Sequence, residues 1–202
     1  MTICLVLGGS CAAEAGSARI PKGFLLTEPT ARAPLPPVAV GEEWWKISDS
    51  TSRQLELNPC GTKGRARDGR VAMRTITHLT SGPSYGSEQL ALYPSARSAH
   101  AAFLKLRTDM KRCVKQETAT RPGRVHVGEA LRAGDEAMIV GSHSSRKGKR
   151  DREPSSLWGV GRRGAALFLY TQDIAGRGVE GRIAGQVKRM AKKVCALRGV
   201  CG

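Results

Sequence analysis

Residues 156–173 read SLWGVGRRGAALFLYTQD, and this stretch decides the fold class. Residues 156–162 and 165–173 have the apolar and β-branched composition of strands, and a glycine between them accepts the positive φ of a tight turn. The stretch also contains G-x-G-x-x-G, which marks a dinucleotide-binding loop only when a helix follows the last glycine. A second strand follows instead. We therefore predict a β-hairpin, in which a β-branched residue at Gly164 would disturb folding.

A second hairpin is predicted nearer the N-terminus. Residues 71–80 (VAMRTITHLT) and 87–94 (SEQLALYP) have strand composition, and the intervening SGPSYG (81–86) is rich in turn formers. Residues 124–145 have the pattern of extended chain, and residues 136–141 form its clearest strand. Short turns between strands favour antiparallel pairing.

Two helices are predicted from apolar residues that recur at helical spacing. The first follows Pro94 and Ser95, and the second runs from about Gly178 to Ala196. Each carries one apolar stripe, made of Ala99, Phe103, Leu106, Met110 and Cys113 in the first and of Val179, Ile183, Val187, Met190 and Val194 in the second. The order β-β-α-β-β-β-α predicts an α+β fold, a mostly antiparallel sheet with two main helices packed on it.

The N-terminal residues 1–41 are expected to stand apart from a folded domain at 42–202. MTICLVLGGSCAA (1–13) is typical of the end of an export signal, with Cys11 as a candidate lipidation site. The small residues of SCAAEA would also suit cleavage by a signal peptidase. A buried N-terminal strand is the alternative to an export signal. Residues 29–41 form a Pro/Ala-rich arm. No stretch approaches the length of a transmembrane helix.

The chain is strongly basic, with 33 Lys and Arg against 17 Asp and Glu and a net charge of +16. Such a charge favours anionic partners, although an Arg-, Ala- and Gly-rich GC-rich genome would also produce it. The densest basic run lies in a predicted loop (145–154) and contains Arg146, Lys147, Lys149, Arg150 and Arg152. It is either a solvated loop tip or a contact for an anionic cell-wall polymer or lipid. It has no aromatic residue on which bases could stack, which makes nucleic acid an unlikely partner.

No pattern of catalytic or metal-binding residues is convincing. Gly82-Pro83-Ser84-Tyr85-Gly86 matches the nucleophile elbow of hydrolases, but that motif joins a strand to a helix and here joins two strands. The four histidines lack ligand spacing, and the adjacent Asp135 and Glu136 point to opposite faces of a strand. We expect no catalytic site, no metal and no cofactor.

Six cysteines leave the redox state open. Cys4 and Cys11 lie in the N-terminal segment, and Cys60, Cys113, Cys195 and Cys201 form an even set. They are either reduced thiols of a cytosolic protein or two disulfides of an exported one. Sequence alone allows three pairings of four cysteines.

Four pieces of the sequence, in this order, resemble one family. They are NPCG (58–61), SEQLALYPSARSAHAAFLKLRTDMKRC (87–113), GDEAMIV (134–140) and MAKKVCALRGVC (190–201). The chain resembles the PknH-like extracytoplasmic sensor domains of actinobacteria, which occur in kinase ectodomains, lipoproteins and secreted proteins. The resemblance covers about residues 42–202, without a kinase domain or a transmembrane helix.

The resemblance implies two disulfides, Cys60–Cys113 and Cys195–Cys201, and a cleft that holds an external ligand. We therefore expect a non-enzymatic, exported binding or sensor-like domain of the cell envelope, secreted or lipid-anchored, whose ligand is unidentified. The alternative is a cytosolic, basic nucleic-acid-binding protein. No helix-turn-helix, zinc-finger or RNP pattern supports that alternative.

Overall fold

The computed structural model describes residues 19–31, 43–80, 85–116, 118–120, 122–147, 149–172 and 178–201. Eight strands are formed, β1 (Glu43–Ser48), β2 (Ala72–Thr80), β3 (Tyr85–Leu92), β4 (Gly123–Ala130), β5 (Glu136–Arg146), β6 (Lys149–Arg150), β7 (Ser156–Arg163) and β8 (Ala166–Gln172). The two helices are α1 (Ala96–Arg112) and α2 (Val179–Lys193). The predicted export signal with Cys11, most of the Pro/Ala-rich arm, and Ser84 lie outside the described residues.

The strands form one antiparallel sheet in the order β1-β2-β3-β8-β7-β5-β4, and the short β6 pairs with β5. This confirms the predicted α+β class. Three strands were not predicted as such. They are β1, β4 and β6. The sequence predicted β4 and β5 as one extended segment. The short β6 lies in the predicted loop 145–154, which therefore forms the tip of a hairpin.

The central hairpin β7–β8 confirms the prediction made from its sequence. Arg163 pairs with Ala166 across a two-residue turn, and Gly164 in that turn has φ +53°. A side chain at Gly164 would overlap the backbone carbonyl of Val200, which accepts a hydrogen bond from the N–H of Ala165 at 2.9 Å. The last glycine of G-x-G-x-x-G therefore serves a turn between strands, and no helix begins there to bind a phosphate.

Each face of the sheet is covered by one helix. On one face Ile183, Val187 and Met190 of α2 pack over Phe168 and Tyr170. The helix comes close to β7 because Gly159 lies beneath it, where a Cβ would overlap Ile183 and Val187. On the opposite face, residues Phe103, Leu106 and Met110 of α1 pack on buried residues that include Val140, Leu167 and Leu169.

The N-terminal segment 19–31 belongs to the core. Ile20 and Leu25 are buried on the α2 face of the sheet. The carboxylate of Glu88, which is 1% exposed, accepts hydrogen bonds from the backbone N–H groups of Leu26 and Thr27 at 2.8 and 2.9 Å. The segment precedes residue 42, where the sequence analysis placed the start of the folded domain, so the packed core extends upstream of that residue.

Candidate functional site

Both predicted disulfides are formed. Cys60 is bonded to Cys113 and Cys195 to Cys201, which confirms the pairing implied by the family resemblance. The first bond joins the irregular segment between β1 and β2 to the end of α1. Disulfides persist in oxidising compartments, so these bonds fit an extracytoplasmic location.

The predicted basic run lies at the β5–β6 hairpin and just after it. Arg146, Lys147, Lys149, Arg150 and Arg152 are all exposed there. They line neither of the two concavities that flank α1. The structure therefore separates the run from both concavities, and its role as an anion contact stays a prediction.

The first concavity, called here the loop pocket, lies between residues 54–70 and the outer side of α1, and its volume is about 380 Å³. Its apolar lining includes Leu55, Leu57, Pro59, Ala102 and Leu106. The three leucines and Pro59 are buried in the fold. A pocket with an apolar interior and a few polar groups is the common form of a small-molecule site.

The charges around the loop pocket are unequal. Arg65, Arg67, Arg70 and Lys105 line it, against Asp68 and Asp109. Asp68 is paired with Arg70, and Asp109 is paired with Lys105 and Arg112. Arg65 and Arg67 are exposed and form no ion pair with any residue in the described part of the chain. The uncompensated charge at the mouth of the pocket is therefore positive.

A buried polar cluster supports the wall of the loop pocket. Arg70, whose side chain is 3% exposed, binds Asp68 and also donates to the carbonyl of Arg53 at 3.1 Å. The Tyr93 hydroxyl donates to the Asp68 carboxylate at 2.9 Å. Burial acts to raise the pKa of Asp68, but hydrogen bonds from Arg70 and Tyr93 and the Arg70 charge more than offset this, so that pKa lies below its usual range. The carboxylate is therefore ionised at neutral pH, and its arginine is fully occupied.

The second concavity, called here the edge groove, lies between α1 and strand β4 and has a volume of about 500 Å³. Its apolar lining includes Phe103, Met110 and Met138. Arg107 and Lys111 stand on the α1 wall and His126 at the β4 side. Burial, followed by the charges of Arg124 and Lys115, lowers the pKa of His126, which favours a neutral ring at pH 7.

An ion-pair network closes one end of the edge groove. Glu136 accepts from Arg162 Nε at 2.6 Å and lies 2.7 Å from Nδ1 of His100. Burial acts to raise the pKa of Glu136, but these two partners more than offset it and hold the pKa below its ordinary value. Asp135 and Glu136 both pair with Arg162, at 3.0 and 2.6 Å, so the prediction that they point to opposite faces of a strand is wrong, because β5 begins only at Glu136.

Cys60, Asp109 and Cys113 are the one group of potential metal ligands found among the described residues, with ligand atoms within 4.8 Å of one another. The two sulfurs are bonded to each other and offer no thiolates to a cation. No described helix has the length and apolarity needed to cross a bilayer. The absence of catalytic activity remains a prediction.

Sequence reasoning missed both concavities. Arg65 and Arg67 lie in a segment without periodicity, and no pattern ties them to Leu106 some forty residues later. The edge groove depends on β4, which the sequence analysis did not separate from β5. The one available signal was the Cys60–Cys113 pairing, which places the segment before β2 against the end of α1.

The comparisons with known proteins are sparse. No family model matches the chain, and no curated protein matches it. Among solved structures, the extracellular domain of PknH from Mycobacterium tuberculosis is similar with a TM-score of 0.48 and 11% sequence identity, over 77% of this chain and 86% of that one. Membership of the PknH-like sensor family therefore remains a prediction.

Proposed function

We propose that this chain is a non-enzymatic, extracytoplasmic binding domain of the cell envelope, and that the loop pocket binds an anionic ligand with an apolar part. The observation that carries the proposal is the pairing of a leucine-lined interior with two arginines at its mouth that have no carboxylate partner among the described residues. Arginine binds carboxylate, sulfonate and phosphate groups through its fork of N–H donors.

The disulfides support both the location and the site. Two disulfides are unusual in a cytosolic protein. The bond between Cys60 and Cys113 ties the segment 54–70 to the end of α1, the two elements that line the loop pocket, and so limits how far they can move apart. A preorganised site loses less conformational entropy when it binds. A cytosolic nucleic-acid-binding role is not favoured on these grounds.

The proposal is tested with anilinonaphthalene sulfonate, an anionic and apolar fluorescent probe, and with dodecyl phosphate as a competitor. We expect saturable binding to the folded protein and displacement by dodecyl phosphate. The double variant Arg65→Glu/Arg67→Glu should weaken binding by roughly a hundred-fold, since each of the two lost charge-assisted hydrogen bonds contributes about 1.5 kcal/mol or more.

The matched control reverses two charges away from the loop pocket. Lys149→Glu/Arg150→Glu changes the net charge by the same amount at the β5–β6 hairpin. It should leave probe binding unchanged. Equal weakening by both double variants would show that the probe follows overall charge, and the pocket assignment would then be wrong. A DNA shift assay with nanomolar binding and a steep salt dependence would instead favour the nucleic-acid role.

A further inference from the structure

Strand β4 is an edge of the sheet, as far as the described residues show. Within the described residues it pairs with β5 on one side, and on the other side only Lys115 bridges to Arg124. Arg124 donates to and accepts from Lys115 at 2.8 and 3.0 Å. Backbone groups alternate in direction along a strand, so those of His126, Gly128 and Ala130 point the same way as those of Arg124, away from β5.

The edge groove runs beside these backbone groups. Gly128 has no side chain, and Met110 of α1 and Met138 of β5 lie 3.3 and 3.6 Å from where its Cβ would be. Methionine side chains adapt their shape to what they contact. The two methionines already cover Gly128, and an apolar side chain from a strand along β4 would enter the volume of about 500 Å³ that the groove leaves beside them.

The charge of the helix wall indicates what kind of strand would bind. Arg107 and Lys111 are one helical turn apart, are exposed, and have no ion-pair partner in the described chain. Two carboxylates also line the groove. Glu136 is paired with Arg162 and His100, which leaves Glu129 as one acidic group against the two cations of the helix wall. A second copy of this chain, which carries the same net charge of +16, would bring like charges together at this wall.

We propose that β4 and the edge groove bind an extended, acidic peptide segment of a partner protein, which adds to the sheet as an antiparallel strand. Backbone hydrogen bonds to positions 126, 128 and 130 would hold the peptide. Apolar side chains on one of its faces would enter the groove, and acidic side chains would meet Arg107 and Lys111. Strand addition at a free sheet edge is a general mode of peptide recognition.

The test uses a capped, fluorescein-labelled peptide of alternating valine and glutamate. We expect saturable binding by fluorescence anisotropy, and amide hydrogen exchange slowed at His126, Gly128 and Ala130. The amides of Val125, Val127 and Glu129, which face β5, should keep their exchange rates. This two-residue periodicity distinguishes strand addition from simple electrostatic attraction, because electrostatic attraction would not slow amide exchange at alternate residues.

Two variants test the two parts of the interaction. Ala130→Pro removes one outward N–H, at an edge position where proline is tolerated, and should weaken binding about five-fold. Arg107→Glu/Lys111→Glu changes no strand residue and should weaken it by roughly ten-fold or more. A circular dichroism spectrum checks that each variant is folded. A peptide of alternating valine and lysine should not bind.

Four results would overturn the proposal. They are the absence of saturable binding, unchanged affinity in both variants, slowed exchange that lacks the alternation, and concentration-dependent protection of the three amides without peptide. The last result would assign the edge to a second copy of this chain. None of these results bears on the loop pocket, which lies on the other side of α1.

Discussion

At the scale of single residues, Gly164 connects the sequence pattern to the fold most directly. Its positive φ and its contact with the Val200 carbonyl leave no room for a side chain. Its N–H also donates to Asp135 at 2.8 Å. One position thus joins the central hairpin, the β4–β5 connection and the C-terminal tail.

Gly164→Val should destabilise the fold by at least about 2 kcal/mol, because it combines a strained backbone with an overlap at Val200. Urea unfolding measures the change in the free energy of unfolding. Gly181→Ala is the matched control, since Gly181 lies on an exposed part of α2 with no atom within 4 Å of its would-be Cβ. This control should stabilise the protein by up to about 1 kcal/mol. Equal stability of both variants would contradict the assigned role of Gly164.

At the scale of elements, the helices and the two hairpins were predictable, and the concavities were not. The stripe Ala99, Phe103, Leu106 and Met110 is buried as its spacing predicted. A helix that packs on a sheet has an apolar residue every three or four positions on its buried face, and this pattern is visible in a short stretch of sequence. By contrast, β1 is only six residues long, and β4 carries three exposed residues at its end. The loop pocket joins segments far apart in sequence, which local patterns do not encode.

The two disulfides should differ in their contributions to stability. Cys60 and Cys113 are 53 positions apart, and Cys195 and Cys201 are six apart. Loop-closure entropy gives about 4 kcal/mol for the first and about 2 kcal/mol for the second. We therefore expect Cys60→Ser/Cys113→Ser to lower the free energy of unfolding more than Cys195→Ser/Cys201→Ser, as measured by urea denaturation. Only the first variant should also weaken probe binding in the loop pocket. The reverse order would contradict this account.

At the scale of the whole molecule, seven of the 17 carboxylates form ion pairs among the described residues. Glu28, Asp49, Glu56, Asp68, Asp109, Asp135 and Glu136 all pair with arginine or lysine. The excess cations therefore remain on the surface, including the mouth of the loop pocket and the α1 wall of the edge groove. The net charge was evident from composition, but its location depends on which cations the carboxylates neutralise.

This use of carboxylates predicts sensitivity to acid. Burial acts to raise the pKa values of Glu28, Asp68, Asp135 and Glu136, but hydrogen bonds to arginine, histidine or backbone partners hold all four below their usual range. A carboxylate with a lowered folded-state pKa stabilises the protein above its unfolded pKa of about 4, and that stability is lost as the pH falls through the folded value. The urea midpoint should therefore fall steeply between about pH 4 and pH 2.

Asp68→Asn provides the control for this pH dependence. It should cost about 3 kcal/mol near neutral pH, because Arg70 would be left buried without its partner. The variant should lose less additional stability than the unaltered protein between about pH 4 and pH 2. An identical loss in both proteins over this range would show that Asp68 does not contribute to the acid transition.

The segment 19–31 has a further consequence, for genetic dissection. The buried carboxylate of Glu88 accepts a hydrogen bond from the backbone of this segment, and the buried Arg74 guanidinium is paired with Glu28 of the segment. A gene fragment that begins at codon 42 would leave both charged groups inside the protein without these partners. The shortest open reading frame that encodes a complete core therefore starts at or before codon 19, and deletion series should be designed from that position.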